Sequence, residues 1–563
     1  MSRPHSLVLA ILTAAAVPAV ARADNPGPDL IPEDALVGVV VKNIDDLNAK
    51  AVKLTGELQV PLAMGLPTLI KSVTPLREGV DMKGSMGVVI PNLDKLGVKI
   101  HAPPEAGDNQ ALLDHIVLIF PVADADAIAA NFGYKKGEWK LGTVKGHNFI
   151  VNDMKLLLTE RFLYVSRTEL AIVVLRGGKP LPGSLGQTQA RALREADAVL
   201  HVGLVGLGDE VRRAALAEID KTLLLGDPDD ETVKQATAAL QETRGVTVGV
   251  KIEDGLTLDF LLSFTKSDGA AAKFLTVLRG GPGTSDLNGL PAANPVAAYA
   301  AKGDGTRNVH QARALFKVLL KNAFGLNVAL QGEDREKLLA AFDVLYKHLR
   351  GSRAAAYAVD PAKAAKFGRT AAVVILDLDD PAEHLSGWKN FIEVANKTSL
   401  KVNQGDAGRA PKFSFTPAAE QLDGMPVDVL AMDNPKLDPG DRAKNVQARG
   451  PDWNKIKMVT VGKQIVALFG SSDTDRLREA IRNVKEGNKG LAENPALAAQ
   501  LKTLPAERKL ELHGTGDVLA AFGVGGPANG PAGSWVSLAL VVEPDRLQIR
   551  LRTPLAQMKA LRP

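Results

Sequence analysis

The sequence predicts an α+β protein of two similar lobes, each a mostly antiparallel sheet with helices packed on it. Three observations predict it. The same plan recurs in the same order in both halves of the 563-residue chain. The strands are short, and many read as hairpins, as where Asp254-Gly255 joins two apolar runs in a favoured tight turn. Strand and helix alternate too irregularly for a doubly wound parallel sheet.

The recurrence is one of order. Leu30-Ile31-Pro32 precedes a predicted strand over 35–41 and a helix from about Asp45, as Gly289-Leu290-Pro291 precedes 296–301 and a helix from about Thr306. Gly84-Ser85 opens an apolar run ending at Pro91, and Gly351-Ser352 opens one ending at Pro361. A strand over 116–120 meets Asp124 and a helix, as 372–376 meets Asp379 and a helix. Paired short strands follow at 154–158 with 161–165, and at 456–461 with 464–468. Strand-like 199–205 runs into Gly206-Leu207-Gly208-Asp209, and 509–512 runs into Gly514-Thr515-Gly516-Asp517. Each half closes on a predicted hairpin, 246–252 with 256–264 and 536–542 with 547–551. The period far exceeds the roughly 20–50 residues of solenoid repeats, so whole lobes are duplicated.

Helical periodicity is clear over 47–58, 210–224, 232–241, 312–324, 333–349, 382–394 and 474–484. Loop insertions are expected over 92–108 and 397–412, with a third irregular stretch over 433–452. Single cores stop growing near roughly 250–300 residues, so this length implies more than one. Arg279-Gly280-Gly281-Pro282-Gly283-Thr284-Ser285-Asp286 has strong breakers and no periodicity, and it marks the junction. The predicted organisation is a signal peptide over 1–23, a first lobe over 24–285 and a second over 286–563.

The signal peptide rests on Arg3, an apolar run over 7–17 and the small-x-small stretch Ala21-Arg22-Ala23, with cleavage before Asp24. The run is too short to span a bilayer, which takes about 20 apolar residues, and no later stretch is long and apolar enough. The chain is therefore expected in the periplasm or outside the cell. It contains no cysteine. Thiol catalysis, iron–sulfur clusters and thiolate zinc sites are thereby excluded. Cleavage removes Arg3 and Arg22 and leaves 66 basic against 64 acidic residues. No basic face with interleaved aromatics stands out, so nucleic-acid binding has no support.

Motifs that could carry chemistry fall to simpler readings. The two Gly-x-Gly-Asp turns lack the third glycine and the βαβ unit of a dinucleotide fingerprint. Asp209 and Asp517 are expected to be helix N-caps. Asp124 and Asp126, then Asp377, Asp379 and Asp380, follow the third predicted strand of each lobe, with Asp227, Asp229, Asp230 and Glu231 as a further acidic group. Carboxylates so clustered can hold calcium or magnesium, but no group has the calcium-loop spacing, and Asp before a helix is normally a cap. Eight histidines remain after cleavage: His101, His115, His147, His201, His310, His348, His384 and His513. None forms a helix-borne zinc motif. His201 and His513 lie in or beside predicted strands. Ser263-Phe264-Thr265-Lys266 and Ser386-Gly387-Trp388-Lys389 fit Ser-x-x-Lys without the companion motifs of penicillin-binding enzymes.

Leu30-Ile31-Pro32-Glu33-Asp34-Ala35 with the strand and helix after it, and Ile119-Phe120-Pro121-Val122-Ala123-Asp124 leading into a helix, resemble recurrent units of uncharacterised exported bacterial proteins. That resemblance implies no activity. The expected function is a non-catalytic binding or structural role, with an unknown protein or small molecule as partner. No catalytic, metal or cofactor-binding residue is assigned. A hydrolase whose site is assembled from distant residues, and a two-lobed solute-binding receptor, are the alternatives.

Overall fold

The computed structural model describes residues 27–61, 64–74, 76–99, 106–135, 142–144, 154–205, 207, 211–214, 231–264, 268–304, 333–402, 410–515 and 534–560. The fold is mixed α+β, and its strands build a large antiparallel sheet. No described helix is long and apolar enough to cross a membrane. The chain divides into two compact units. The first comprises Met1–Leu225, Ala236–Ala272 and Pro544–Arg562, and the second Gly226–Gln235, Lys273–Glu543 and Pro563.

The first unit contains β1 (Val37–Val41), β2 (Met86–Ile90), β3 (Val117–Pro121), β4 (Gly142–Val144), β5 (Met154–Leu158), β6 (Phe162–Ser166), β7 (Ala198–Gly203), β8 (Thr243–Ile252) and β9 (Gly255–Phe264). The second contains β10 (Pro295–Lys302), β11 (Leu349–Ala358), β12 (Thr370–Leu378), β13 (Lys412–Leu422), β14 (Met425–Asp433), β15 (Lys455–Val461), β16 (Gln464–Phe469), β17 (Leu510–Gly514) and β18 (Val536–Glu543). The last strand, β19 (Arg546–Pro554), belongs to the first unit. Pairing in the first unit runs β4-β5-β6-β3-β2-β1-β7-β8-β9-β19. In the second it runs β13-β14-β15-β16-β12-β11-β10-β17-β18. Every one of these pairings is antiparallel.

Helices pack on these strands because each carries one apolar stripe. In the first unit α1 (Ile44–Glu57), α2 (Leu66–Val73) and α3 (Ala125–Asn131) supply Ile44, Leu47, Leu66, Ile70 and Ile128 to a core with Phe120, Leu156 and Val165. On another core of that unit, α4 (Glu169–Gly177) and α5 (Gln187–Glu195) bring Ile172, Leu175 and Leu193 to Val40, Val89 and Ile119. In the second unit α6 (Glu333–Lys347) and α7 (Pro381–Val402) pack together through Leu338, Phe342, Leu345 and Ala395. Ile392 of α7 meets Met458, Ile465 and Ala467. There too α8 (Pro439–Arg449) is capped by Asp438, while α9 (Thr474–Glu486) and α10 (Pro495–Leu501) bury Leu477, Ile481 and Leu497 with Tyr357, Val373 and Trp535.

Several expectations change. Residues 547–551 pair with Leu262 to Leu258 of β9, a partner that the sequence did not indicate. The helix expected over 382–394 runs on to Val402, into the expected 397–412 loop. Asn396 explains the extension, because its amide donates to Phe413 O and accepts from Phe413 N, both at 2.8 Å, tying the helix to β13. The stretch 433–452 holds α8. Gly514 is not a turn after a strand but the last residue of β17, facing Ala297 and Val536. Asp209, Asp517, the 227–230 acids, residues 215–224 of the helix expected over 210–224 and the helix expected over 312–324 lie outside the described residues. Near the expected junction, Ser285 N–H donates to Arg508 O at 2.9 Å and Lys509 Nζ donates to Gly283 O at 2.6 Å, so this segment is held within the second unit.

Candidate functional site

The chemistry-bearing residues that the sequence singles out can be placed where they fall among the described residues. Asp124 caps α3, accepting from Ala127 N–H at 3.0 Å. Asp380 accepts from Glu383 N–H at 3.0 Å at the start of α7. Both acids therefore satisfy free helix-end amides. Among the described residues no group of three or more His, Cys, Asp or Glu side chains is arranged to hold a metal ion. Ser386 and Lys389 are exposed on α7, and Lys389 Nζ lies 6.0 Å from the Phe415 ring centroid. Lys266 lies outside the described residues.

Asp377 and Asp379 do line a concavity of the second unit. It opens at the ends of β11 and β12, the β15–β16 turn and the end of α9, and encloses about 640 Å3. Arg350, Asp377, Asp379, Lys463, Gln464 and Lys485 line it. The carboxylates are engaged. Asp379 pairs with Arg350. Asp377 accepts from Arg353 Nη1 at 2.8 Å and from Gln464 Nε2 at 2.5 Å, with Lys302 Nζ at 3.7 Å. Their charge is spent on joining strand ends.

A second constellation lies inside the same unit. Glu511 and His513 sit two apart on β17 and so share a face. Ser537 faces His513 from β18. His513 Nδ1 is 2.8 Å from Ser537 Oγ, and Nε2 is 3.3 Å from Glu511 Oε2. Arg508 Nε donates to the same carboxylate oxygen at 2.6 Å. We assign the tautomer from the charge: Nε2–H donates to Glu511, and Nδ1 accepts from the Ser537 hydroxyl. Acid, imidazole and hydroxyl in a row is the arrangement of an activated serine. Here the His513 and Glu511 side chains are 0% exposed and so is Ser537. The row partners the imidazole, the hydroxyl and Glu511 Oε2, while Glu511 Oε1 has no hydrogen-bond partner among the described residues.

The first unit holds a shorter version. His201 on β7 lies opposite Thr247 of β8, with Nδ1 at 2.8 Å from the hydroxyl. Its Nε2 has no hydrogen-bond partner among the described residues. Burial, and then the Arg244 cation, lower its pKa to about 4. Val199 stands two residues before His201, where Glu511 stands before His513, so the carboxylate is missing. Both histidines lie on the strand that pairs with β1 or β10, opposite Gly38 and Ala298.

His384 is buried as well. Its Nδ1 is 2.8 Å from Leu345 O, and Trp388 Nε1–H donates to its Nε2 at 3.1 Å. The strand-joining acid Asp259 was not singled out by sequence. It accepts from Arg550 Nε at 2.7 Å and Nη2 at 2.9 Å, and from Gln548 Nε2 at 2.8 Å. No spacing could have found it, because 291 residues separate Asp259 from Arg550. No family model matches this chain, and no curated protein and no solved structure matches it either.

Proposed function

We propose that this chain is an exported protein built from two copies of one α+β unit, acting as a non-catalytic binding or structural protein. One observation carries the non-catalytic reading: the residues best suited to chemistry serve as caps, strand-end ion pairs or sealed hydrogen-bond rows. Export draws its support from the apolar run before Ala21-Arg22-Ala23. Duplication draws support from strand order. β1, β2, β3, β5, β6, β7 and β8 correspond one by one to β10, β11, β12, β15, β16, β17 and β18. The buried pairs His201–Thr247 and His513–Ser537 then fall at the same register position.

A hydrolase is the second reading, favoured only by the Glu511–His513–Ser537 row. Labelling with a fluorophosphonate probe separates the two. The binding or structural reading expects no labelling above that of the denatured control. Stoichiometric labelling that Ser537→Ala abolishes would establish the hydrolase. N-terminal sequencing from the native envelope fraction tests export: a mature chain starting at Asp24 is expected, and an intact Met1 in the cytoplasm refutes it.

A further inference from the structure

The concavity at the strand ends of the second unit carries positive charge that its own acids do not use. Asp379 is taken by Arg350, Asp377 by Arg353 at 2.8 Å, and Asp286 by Lys302 at 3.4 Å. Two lining cations remain, Lys463 and Lys485. Both are exposed, and neither side chain makes an ion pair or hydrogen bond among the described residues. Their backbones are fixed. Lys463 is the second residue of the tight β15–β16 turn, where Gly462 holds φ +59° and Val461 pairs with Gln464. Its carbonyl accepts from Leu378 N–H at 2.9 Å, which pins the turn to the end of β12. Lys485 stands in the last turn of α9, closed by Gly487 at φ +70°. Two ammonium groups thus border one hollow from separate elements, and Leu378, Val461 and Val484 give that hollow an apolar part. Glu486 is outside the lining and accepts from Asn488 Nδ2 at 2.8 Å. On β17, burial and then the Arg279 and Lys302 cations hold the Lys509 ammonium below its ordinary value, so the field stays positive along this edge of the sheet.

We propose that this concavity binds a small organic phosphate, whose phosphate group bridges Lys463 and Lys485 while its body lies against Leu378, Val461 and Val484. A volume of about 640 Å3 is that of a small-molecule site. Phosphate is favoured over carboxylate because the free donors are ammonium groups, which bind phosphate as point charges. The planar fork that matches a carboxylate, Arg350, is already on Asp379. The inference rests on the binding reading of the chain and gives its ligand a chemical class.

Isothermal titration of the full chain with phenyl phosphate, in about 0.15 M NaCl at pH 7.5, tests it. Phthalate, a dicarboxylate of similar charge with the same ring, is the comparison. Saturable binding at one site per chain is expected, and tighter for phenyl phosphate than for phthalate. Lys463→Gln combined with Lys485→Gln should weaken it at least about 10-fold, and Lys53→Gln, which removes an exposed lysine of the first unit, less than about 2-fold. Both site lysines are exposed, so the double variant should keep the wild-type urea midpoint. No saturation below about 5 mM phenyl phosphate overturns the proposal, as does a double variant that binds like the wild type. Equal weakening by Lys53→Gln overturns it too, because it marks diffuse attraction. Phthalate binding as tightly as phenyl phosphate overturns the phosphate assignment. Failure here leaves the fluorophosphonate result untouched, so it is distinct from failure of the non-catalytic reading.

Discussion

Asp259→Ala is expected to be among the costliest single changes in the first unit. Asp259 is 4% exposed and accepts both guanidinium bonds of Arg550 and the amide of fully buried Gln548. These bonds span β9 and β19, which pair from Arg546 with Ser263 to Pro554 with Gly255. Removing the carboxylate leaves a mostly buried cation and a buried amide without their acceptor. Breaking one partner of such a pair costs about 3–5 kcal/mol. For a unit of this size that is a fall in Tm of roughly 6–20 °C, at about 2–4 °C per kcal/mol. Urea unfolding at pH 7.5 measures it. The joint change Asp259→Leu with Arg550→Leu removes the charges together and should recover most of the loss, because apolar replacement of a buried pair is close to neutral. An Asp259→Ala cost below about 1 kcal/mol would refute the reasoning and mark the pair as solvent-screened.

Other outcomes follow from the same physics. Burial keeps the folded His201 pKa near 4 against 6.5, so its contribution is complete above pH 6.5 and lost as pH falls toward 4. That loss is about 3 kcal/mol, read as the change in urea midpoint between pH 7.5 and 4.5 in wild type minus that in His201→Gln. Gly368 and Gly450 hold φ of +80° and +85°, and a Cβ on Gly368 would lie 2.2 Å from Gly450 N. Alanine at either should therefore lower Tm, with Gly424→Ala, which meets no atom within 4 Å, as the milder control at φ +78°. With no cysteine in the chain, Tm should not move with reductant. It should not move with chelator either, if Asp377 and Asp379 are satisfied by Arg353, Gln464 and Arg350.

Short apolar runs placed β5, β12, β15 and β16 within two residues of the strand ends seen here, because a run of that length between turn residues fits a buried strand and is too short for a helix. Helix α8 was also legible. Asp438-Pro439 followed by Gly450 is an N-cap, a first-turn proline and a terminating glycine, hidden by reading Pro and Gly only as breakers. Register was harder. Gly84-Ser85 and Gly351-Ser352 match as letters, yet the strand pairing sets Ser352 against Met86, one residue away. A one-residue slip turns each side chain to the opposite face. The Gly-x-Gly-Asp match is displaced further, since alignment on His201 and His513 sets Gly514 level with Val202 rather than with Gly206. Leu200-His201 and Leu512-His513 were the better signal. The bonds of Asp259 and the Glu511 row depend on tertiary contacts, which local spacing does not carry.

A chain without cysteine offers a clean test of the two-copy account. Val39 faces Leu200 across β1 and β7, and Tyr299 faces Leu512 across β10 and β17, at corresponding places in the two strand orders. Facing antiparallel residues have Cα atoms about 4.5–5.5 Å apart, within reach of a disulfide. Paired cysteines at 39 and 200, and separately at 299 and 512, are oxidised under identical conditions and mapped by mass spectrometry. The account predicts an intramolecular disulfide in both variants, and none between cysteines at 39 and 258, which lie strands apart. A disulfide in one native pair with the other left reduced in a folded protein would contradict it.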